Sequence, residues 1–450
     1  MIRRQLQFDA CSGLNTASPL QNAERRFVRA VTMFSLIAFA ALSAGCEKTP
    51  PPQFRFNEVE FLKHEKTRLD EGERYPEEYR TQISALTTAL FGTPDEPKFP
   101  ILHGDEDVGH EVLSLENLRM SAGPVASDEN GIPTGLYREH CAHCHGITGD
   151  GAGPTAAFLN PYPRDFRLGK FKFKSTPLKQ APTNEDLTDI IRNGIPGTAM
   201  PAFTTLDPSE VESLVDYVKY LSIRGQYERR LIELATEDPE EPLLDVAVLD
   251  IDPEDPDYED KYMDFVDRMF ELVEYPLHEE RIIDRWENPD RRITQVPDAP
   301  QAFDPDSPGY EEFLAHGKTV FYGAGNCTQC HGETGVGDGT TTNYDDWASD
   351  WVNKIRFDAD DEESYIEFVH AGAMRPRPIR PRNLRMPVYR GGGQPDVIYR
   401  RIINGIEGTP MGSNPALTPE DIWALVAYVK SLPYEDDEEP VRPVNDQPIR

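Results

Sequence analysis

The chain has 450 residues, of which 79 are acidic and 46 are basic, and its net charge at pH 7 is −33. This charge argues against binding to nucleic acid or to anionic lipid surfaces, because both would repel the chain. The interior contains no apolar stretch of about 18 residues, so the sequence does not predict a multi-pass membrane protein. The length allows about three domains, and the 40 prolines predict long irregular connections between them.

The amino terminus has the pattern of a secretory signal. A basic segment at 25–29 precedes an apolar run over 30–42, which is too short to span a membrane comfortably, and small residues lead into Cys46. The ending resembles a bacterial lipobox, in which the cysteine is lipidated, although Ser43 stands where leucine is usual. We expect Cys46 to carry a lipid anchor. An uncleaved signal anchor and a plain cleaved signal are the alternatives.

Four of the six cysteines lie in two C-x-x-C-H motifs, at 141–145 and 327–331. Two thiols at this spacing can each add to a vinyl group of one porphyrin, and the histidine that follows can supply a proximal nitrogen to the iron. The pattern predicts two covalently attached haem c groups, held by Cys141, Cys144 and His145 and by Cys327, Cys330 and His331. A four-cysteine zinc site, a thioredoxin-like redox pair and buried structural thiols are the alternatives.

The opposite face of each iron needs a ligand, which is usually a thioether. Met200 and Met411 lie downstream of the two motifs in matching contexts, each preceded by a Gly-Thr pair. Met374 and Met386 also lie in the second half, but their contexts do not match that of Met200. We therefore predict Met200 and Met411 as the distal ligands.

The two halves repeat at a constant offset around these methionines, without a gap over 193–221 and 404–432. Each repeat ends in a predicted helix with an N-cap at Asp207 or Thr418, proline at the first helical position and an acid two residues later. Its apolar residues recur at helical spacing, and a short helix before each cysteine motif can oppose it. The sequence thus predicts two small helical domains with a porphyrin in each core.

Both halves resemble class I c-type cytochromes, and the whole resembles a tandem dihaem cytochrome c, similar to the cytochrome c subunits of respiratory complexes. The resemblance covers roughly 125–224 and 308–434. It implies that His145 and Met200 ligate one iron. The corresponding ligands of the other iron are His331 and Met411.

Three further residues enter as expectations for the haem sites. The resemblance implies that the carbonyl of Pro154 orients the proximal histidine, and the second repeat lacks this proline. Arg164 and Arg382 lie in two matching segments, 163–166 and 381–384, and could pair with haem propionates. The alternative for both arginines is a solvated side chain near a turn.

Two segments that have no counterpart in the first repeat are acidic. The connector contains an acidic stretch over 237–260 and an amphipathic helix, whose apolar face (Tyr262, Phe265, Val266, Met269, Leu272 and Val273) is predicted to cover a haem domain rather than a foreign partner. The second repeat contains an insertion over 344–370 with the acidic residues Asp345, Asp346, Asp350, Asp358, Asp360, Asp361, Glu362 and Glu363. The insertion is either a solvated loop or a docking surface for a basic redox partner.

The predicted fold is mainly α, with two cytochrome c-like haem domains joined by an acidic, partly helical connector. The predicted divisions are a signal peptide (1–45), a proline-rich tether with a helical lead-in that includes a helix over 79–91 (46–124), cytochrome c domain 1 (125–224), the connector (225–306), cytochrome c domain 2 (307–434) and an acidic tail (435–450).

The expected function is electron transfer without catalysis, because His/Met ligation leaves no open position on either iron. The expected partners are redox proteins or a respiratory complex with a basic docking face, and a membrane reached through the lipid anchor; no nucleic acid and no small-molecule substrate are expected. We expect an exported protein on the periplasmic side of a bacterial cell envelope. A dihaem peroxidase with one open iron and an electron-acceptor subunit of a dehydrogenase are the alternatives.

Overall fold

A computed structural model describes residues 51–69, 72–100, 112–237, 243–252, 254–279, 282–339, 343–355 and 357–435. The predicted signal peptide, the predicted lipidation site Cys46 and the acidic tail beyond Glu435 lie outside the described residues. Within these ranges, no helix is both long enough and apolar enough to cross a membrane.

The fold is mainly α, as predicted. The described helices of the lead-in and the first domain are α1 (Glu58–Arg68), α2 (Glu77–Phe91), α3 (Leu115–Ser121), α4 (Leu136–His140), α5 (Ala142–His145), α6 (Asn184–Asn193) and α7 (Pro208–Ala235). Short 3-10 helices cover Ala156–Phe158 and Phe166–Leu168. The strands β1 (Ala126–Ser127) and β2 (Pro133–Thr134) form a small antiparallel sheet.

The connector and the second domain continue the helical pattern. Their described helices are α8 (Tyr258–Glu274), α9 (Tyr310–Tyr322), α10 (Thr328–His331), α11 (Ser349–Val352), α12 (Ile366–His370), α13 (Pro395–Asn404) and α14 (Pro419–Ser431). A π-helical turn over Tyr275–Glu279 follows α8, and 3-10 helices cover Val246–Asp250, Pro289–Arg292, Gln301–Phe303, Glu362–Ser364 and Leu432–Tyr434.

The two terminal helices of the repeats, α7 and α14, begin as the sequence predicts. The Glu210 carboxylate accepts from the N–H of the N-cap residue Asp207 at 2.8 Å, and the Asp421 carboxylate accepts from the N–H of Thr418 at 3.0 Å. These capping boxes stabilise the first turn, where backbone donors have no helical partner. α7 continues to Ala235, so the predicted domain boundary at 224 lies inside this helix.

The lead-in and the connector share one hydrophobic core with the first domain. Fully buried members come from α1, α2, α3, α7 and α8, namely Phe61, Ile83, Leu118, Tyr220 and Leu272. Phe265, Met269 and Val273 of α8 pack against the same core, as predicted for the apolar face of the connector helix. Tyr262 and Val266, which were predicted on the same face, are 39% and 38% exposed.

The second domain has a smaller core of its own, built mainly between α9 and α14. Gly317 of α9 lies against the backbone of Ala424 in α14, where a Cβ atom would overlap it. This close approach buries Phe321 and Leu425 completely, both at 1% exposure. The helix before the cysteine motif therefore opposes the terminal helix, as the repeat predicts.

The insertion (344–370) joins the two domains instead of standing in solvent. Trp351 stacks on Phe368 at 4.4 Å between ring centroids, and both pack in one cluster with Leu62 of α1. The Asp350 carboxylate pairs with Lys63 Nζ at 3.0 Å and with Arg229 Nη2 at 3.2 Å. The apolar side chains Leu62, Trp351 and Phe368 leave water together, which stabilises the contact.

Seven of the eight acidic residues named for the insertion fall into two groups, and the eighth, Asp345, is half-buried and accepts from the N–H of Ala348 at 3.2 Å. Asp346 and Asp350 form ion pairs with residues of the first domain and its lead-in, so the expectation of a wholly solvated or partner-docking acidic surface is wrong for them. The carboxylates over 358–363 are exposed. The sequence could not separate the two groups, because the interdomain cations are distant in the chain.

Candidate haem sites

The two cysteine motifs lie on short helices of matching geometry, α5 and α10. Each helix ends at a glycine with positive φ, Gly146 at +73° and Gly332 at +76°, a backbone conformation that favours glycine. The four thiols form no disulfide. Burial raises the pKa of Cys141 to about 12 and that of Cys327 to about 11. Each motif follows a helix, α4 or α9, and not the strand that precedes a thioredoxin-like pair, so that alternative is not supported.

The two proximal histidines make the same hydrogen bond. His145 Nδ1 donates to the carbonyl of Arg164 at 3.0 Å, and His331 Nδ1 donates to that of Arg382 at 3.0 Å. Burial lowers the pKa of His145 to about 4 and also lowers the pKa of His331, so both imidazoles are neutral at pH 7. A neutral imidazole that donates from Nδ1 carries its lone pair on Nε2, the form that ligates iron.

The acceptor for His145 is therefore Arg164 and not Pro154, whose carbonyl was expected to orient it. Pro154 is exposed, and the segment at 163–166 supplies the acceptor. Its Phe166 N–H donates to the carbonyl of Gly149 at 2.8 Å, which fastens the segment to the loop after the cysteine motif. In the second repeat, the Leu384 N–H donates the corresponding hydrogen bond to the carbonyl of Gly335 at 2.7 Å. This common device explains how His331 is held in a repeat without the proline.

The two methionine loops have one backbone geometry. The Ile195 N–H donates to the Met200 carbonyl at 3.1 Å, and the Thr198 hydroxyl accepts from the Met200 N–H at 3.1 Å. In the second repeat, the Ile406 N–H donates to the Met411 carbonyl at 2.8 Å. There, the Thr409 hydroxyl accepts from the Met411 N–H at 3.2 Å. Each Gly-Thr pair is therefore a structural part of the loop that presents the methionine.

The alternative distal candidates lie in other settings. Met411 packs partly buried against the core of the second domain, and Met200 is half-buried. Met386 is 44% exposed. The burial of Met374 is similar to that of Met200, but it lies outside a matching loop.

The two arginines that were expected to meet propionates differ. Nε and Nη2 of Arg382 and Nε of Arg390 are buried and make no hydrogen bond with any described residue. A carboxylate would satisfy these donors, so the second site fits a porphyrin that carries propionates. Arg164 instead forms an ion pair with Asp346 of the insertion. Arg382 can therefore pair with a haem propionate, as expected. Arg164 already has a carboxylate partner in Asp346.

Two aromatic residues near the first site were missed in the sequence. Phe166 stacks on His145 at 4.5 Å between ring centroids, and Trp347 Nε1 donates to the carbonyl of Pro163 at 2.7 Å. The matching segments pointed to Phe166, because it aligns with Leu384. No local pattern points to Trp347, since its partner lies in the other domain.

The four-cysteine zinc alternative is not supported either. Over the described ranges, no group of three or more His, Cys, Asp or Glu side chains has an arrangement that could hold a metal ion. The two cysteine pairs serve separate sites.

Comparisons with known proteins identify both domains. The family described as cytochrome c oxidase, cbb3-type, subunit III matches residues 131–218, and the family described as cytochrome c matches residues 314–433. A chain of a Kuenenia stuttgartiensis reducing HAO-like protein complex is similar at 23% identity with a TM-score of 0.41, over 69% of this chain and 98% of that chain. Similarity at this level identifies no shared function. No curated protein matches significantly. The chain is a tandem c-type cytochrome, with two class I domains that each imply one covalently bound haem c.

Proposed function

We propose that this dihaem cytochrome carries single electrons between membrane redox complexes through two closed His/Met sites. The ligand pairs are His145 with Met200, and His331 with Met411. The proposal rests on hydrogen bonds that occur in both domains, at the proximal histidine and in the methionine loop. Each histidine donates to an arginine carbonyl at 3.0 Å, and each methionine lies in the same hydrogen-bonded loop.

The residues of each site have separate tasks. Cys141 and Cys144 attach the first haem, and Cys327 and Cys330 attach the second. A haem with nitrogen and thioether ligands supplies a one-electron iron couple whose potential the thioether raises. The imidazole tautomer keeps Nε2 of each histidine available, and the hydrogen-bonded loop presents each methionine.

A peroxidase would need one iron with an exchangeable distal position and an acid–base group beside it. Its reactive site would then differ from its electron-transfer site. The two methionine loops instead share their hydrogen bonds to within 0.3 Å, from 3.1 to 2.8 Å and from 3.1 to 3.2 Å. This agreement favours two closed sites and electron transfer alone.

The proposed location is the periplasmic side of a bacterial cell envelope, with Cys46 lipidated at a membrane. Cytochrome c domains are typically exported proteins, and the basic and apolar segments before Cys46 fit export. The net charge of −33 and the exposed carboxylates over 358–363 favour partners with a basic docking face. The proposed partner is a respiratory complex, and a dehydrogenase is the alternative.

The test is the spectrum of the mature chain made with a cytochrome c maturation system. Two covalent haems per chain, a far-red sulfur-to-iron band in the ferric form and no spectral change when carbon monoxide meets the reduced form are expected. A carbon monoxide shift in half of the haem would reveal one open iron and favour the peroxidase. Absence of covalent haem would overturn the proposal.

A further inference from the structure

One carboxylate of the insertion lies at the boundary between the two haem sites. The Asp346 side chain is 9% exposed, and it pairs with Arg164 and, at 3.0 Å, with Lys172, both in the first domain. Asp346 also lies against Gly408 of the second methionine loop, where a Cβ atom would be 2.9 Å from the carboxylate oxygen. Asp346 therefore contacts Arg164, whose carbonyl accepts the hydrogen bond from His145 Nδ1, and it also contacts the loop that contains Met411.

The neighbouring Trp347 is buried at the same place. Its Nε1 donates to the Pro163 carbonyl at 2.7 Å, one residue before Arg164. Its ring lies against Gly151, where a Cβ atom would be 2.5 Å from Cζ2. The N–H of Gly151 in turn donates to the carbonyl of His145 at 2.9 Å. Trp347 thus touches both chain segments that hold the first proximal histidine.

The proximal side of the second site has no corresponding carboxylate among the described residues. Arg382 takes the position of Arg164, yet its Nε and Nη2 atoms find no partner among the described residues. Leu384 takes the position of Phe166. The insertion belongs to the second repeat alone. The first domain contacts the second methionine loop through Lys174, whose Nζ pairs with Glu407, but no described residue pairs with Nε or Nη2 of Arg382.

We propose that Asp346 and Trp347 of the second domain are positioning residues of the first haem site, and that they keep the potential of the first haem below its value without them. This inference rests on the proposed electron-transfer function and on its ligand assignment.

Two physical effects act in the same direction. A firmly held acceptor strengthens the hydrogen bond from His145 Nδ1, which makes the imidazole a better donor to iron and favours the ferric state. The carboxylate of Asp346 adds a buried negative charge, which also favours the more positive oxidised state. Removal of either residue should raise the potential of the first haem.

The test uses the full-length protein with both haems. Asp346→Asn keeps the shape against Gly408 and removes the charge, while Trp347→Phe keeps the ring and removes the donor to Pro163. The matched control is Asp350→Asn, which weakens another interdomain ion pair that touches neither haem loop. Potentiometric titration with absorbance and electron paramagnetic resonance resolves the two one-electron steps. Met200→His identifies the step of the first haem.

We expect both variants to raise the potential of the first step by more than that of the second step, and by more than the control does. Equal movement of both steps, a shift no larger than in Asp350→Asn, or a fall of the first step would overturn the inference. Failure of the proposed function is a separate result, since the unsubstituted protein would then lack covalent haem or bind carbon monoxide.

Discussion

In both haem domains, the same hydrogen bonds position the proximal histidine and the methionine loop. The residues that surround these hydrogen bonds differ between the domains. In the first domain, Phe166 stacks on the proximal histidine and Asp346 neutralises Arg164. In the second domain, a leucine stands at the aromatic position, and Arg382 keeps two buried donors without a described partner. The comparison teaches that features shared by the two repeats form the ligand geometry, whereas single differing positions and the insertion form its surroundings.

The domains also differ in how much protein surrounds the cofactor. The core of the first domain includes α1, α2 and α3 of the lead-in and α8 of the connector. The core of the second domain depends on α9, α13 and α14. Since buried apolar area is the main stabilising contribution, the first domain should depend less on its haem than the second.

Removal of one haem attachment site at a time tests this difference. Cys141→Ala with Cys144→Ala, and Cys327→Ala with Cys330→Ala, should each reduce the content from two haems to one per chain. The first pair should retain most of the helical circular dichroism, because the shared core remains. The second pair should lose more of it. Equal losses, or a greater loss from the first pair, would contradict the comparison.

Acid should weaken the contact between the insertion and α1. Burial alone would raise the pKa of Glu60, but the salt bridge to Arg229, the hydrogen bond with His64 and the salt bridge to Lys63 lower it from 4.5 to about 2. Arg229 and Lys63 also lower the pKa of Asp350. Because the folded-state pKa is lower, this contribution is present above about pH 5 and is lost as the pH falls through 4.5 toward 2.

The Glu60 shift corresponds to a contribution on the order of 3 kcal/mol to the free energy of unfolding. Thermal unfolding followed from pH 6 to pH 3 measures it, with Glu60→Gln as the control. The variant should be less stable at pH 6 and should lose less stability with acid. An unchanged pH dependence in Glu60→Gln would show that other groups cause the loss of stability in acid.

The shared loop geometry predicts equal damage at two glycines. Gly194 and Gly405 have φ of +64° and +75°, and a Cβ atom on either would lie 2.6 Å from a backbone carbon of its methionine loop. Alanine at either position should cost about 2 kcal/mol and weaken the far-red band of the matching haem. Gly412→Ala is the control, because no atom lies within 4 Å of its added Cβ. A large effect at only one of the two sites would mean that the loops are not equivalent.

The smallest effect should come from the aromatic contact on His145. Phe166→Leu introduces the residue that the second domain has at this position, and the loss of the stacked ring should cost about 1 kcal/mol. Phe158→Leu is the control, since Phe158 is 85% exposed. The thermal midpoint measures both variants. A cost equal to that of the control would mean that the stacked ring adds no stability.

Much of this architecture could be predicted from the sequence. The C-x-x-C-H motifs and the capping signals at Asp207 and Thr418 are local patterns, because neighbouring residues carry out their chemistry. The helix predicted over 79–91 is observed as Glu77–Phe91. The repeat also matched 163–166 with 381–384, although the carbonyls in these segments were not recognised as acceptors.

The remaining features depend on contacts that no local pattern encodes. Every residue has a backbone carbonyl, so the residue type does not indicate which carbonyl accepts from His145. The family resemblance implied Pro154, whereas the acceptor is Arg164. An acidic side chain is predicted to be solvated unless its partner is known, and Arg164, the partner of Asp346, lies 182 residues away in the chain. The apolar face of α8 predicted burial, but its contact with the core of the first domain required the fold.

The ligand assignment is the central claim, and near-infrared magnetic circular dichroism of the ferric protein tests it most directly. The unsubstituted protein should give the His/Met band for both haems. Met200→His and Met411→His should each convert half of that intensity to the bis-histidine band, and the double variant should convert all of it. Full retention of the His/Met band in Met411→His would contradict the account and would move the second distal ligand to Met374 or Met386.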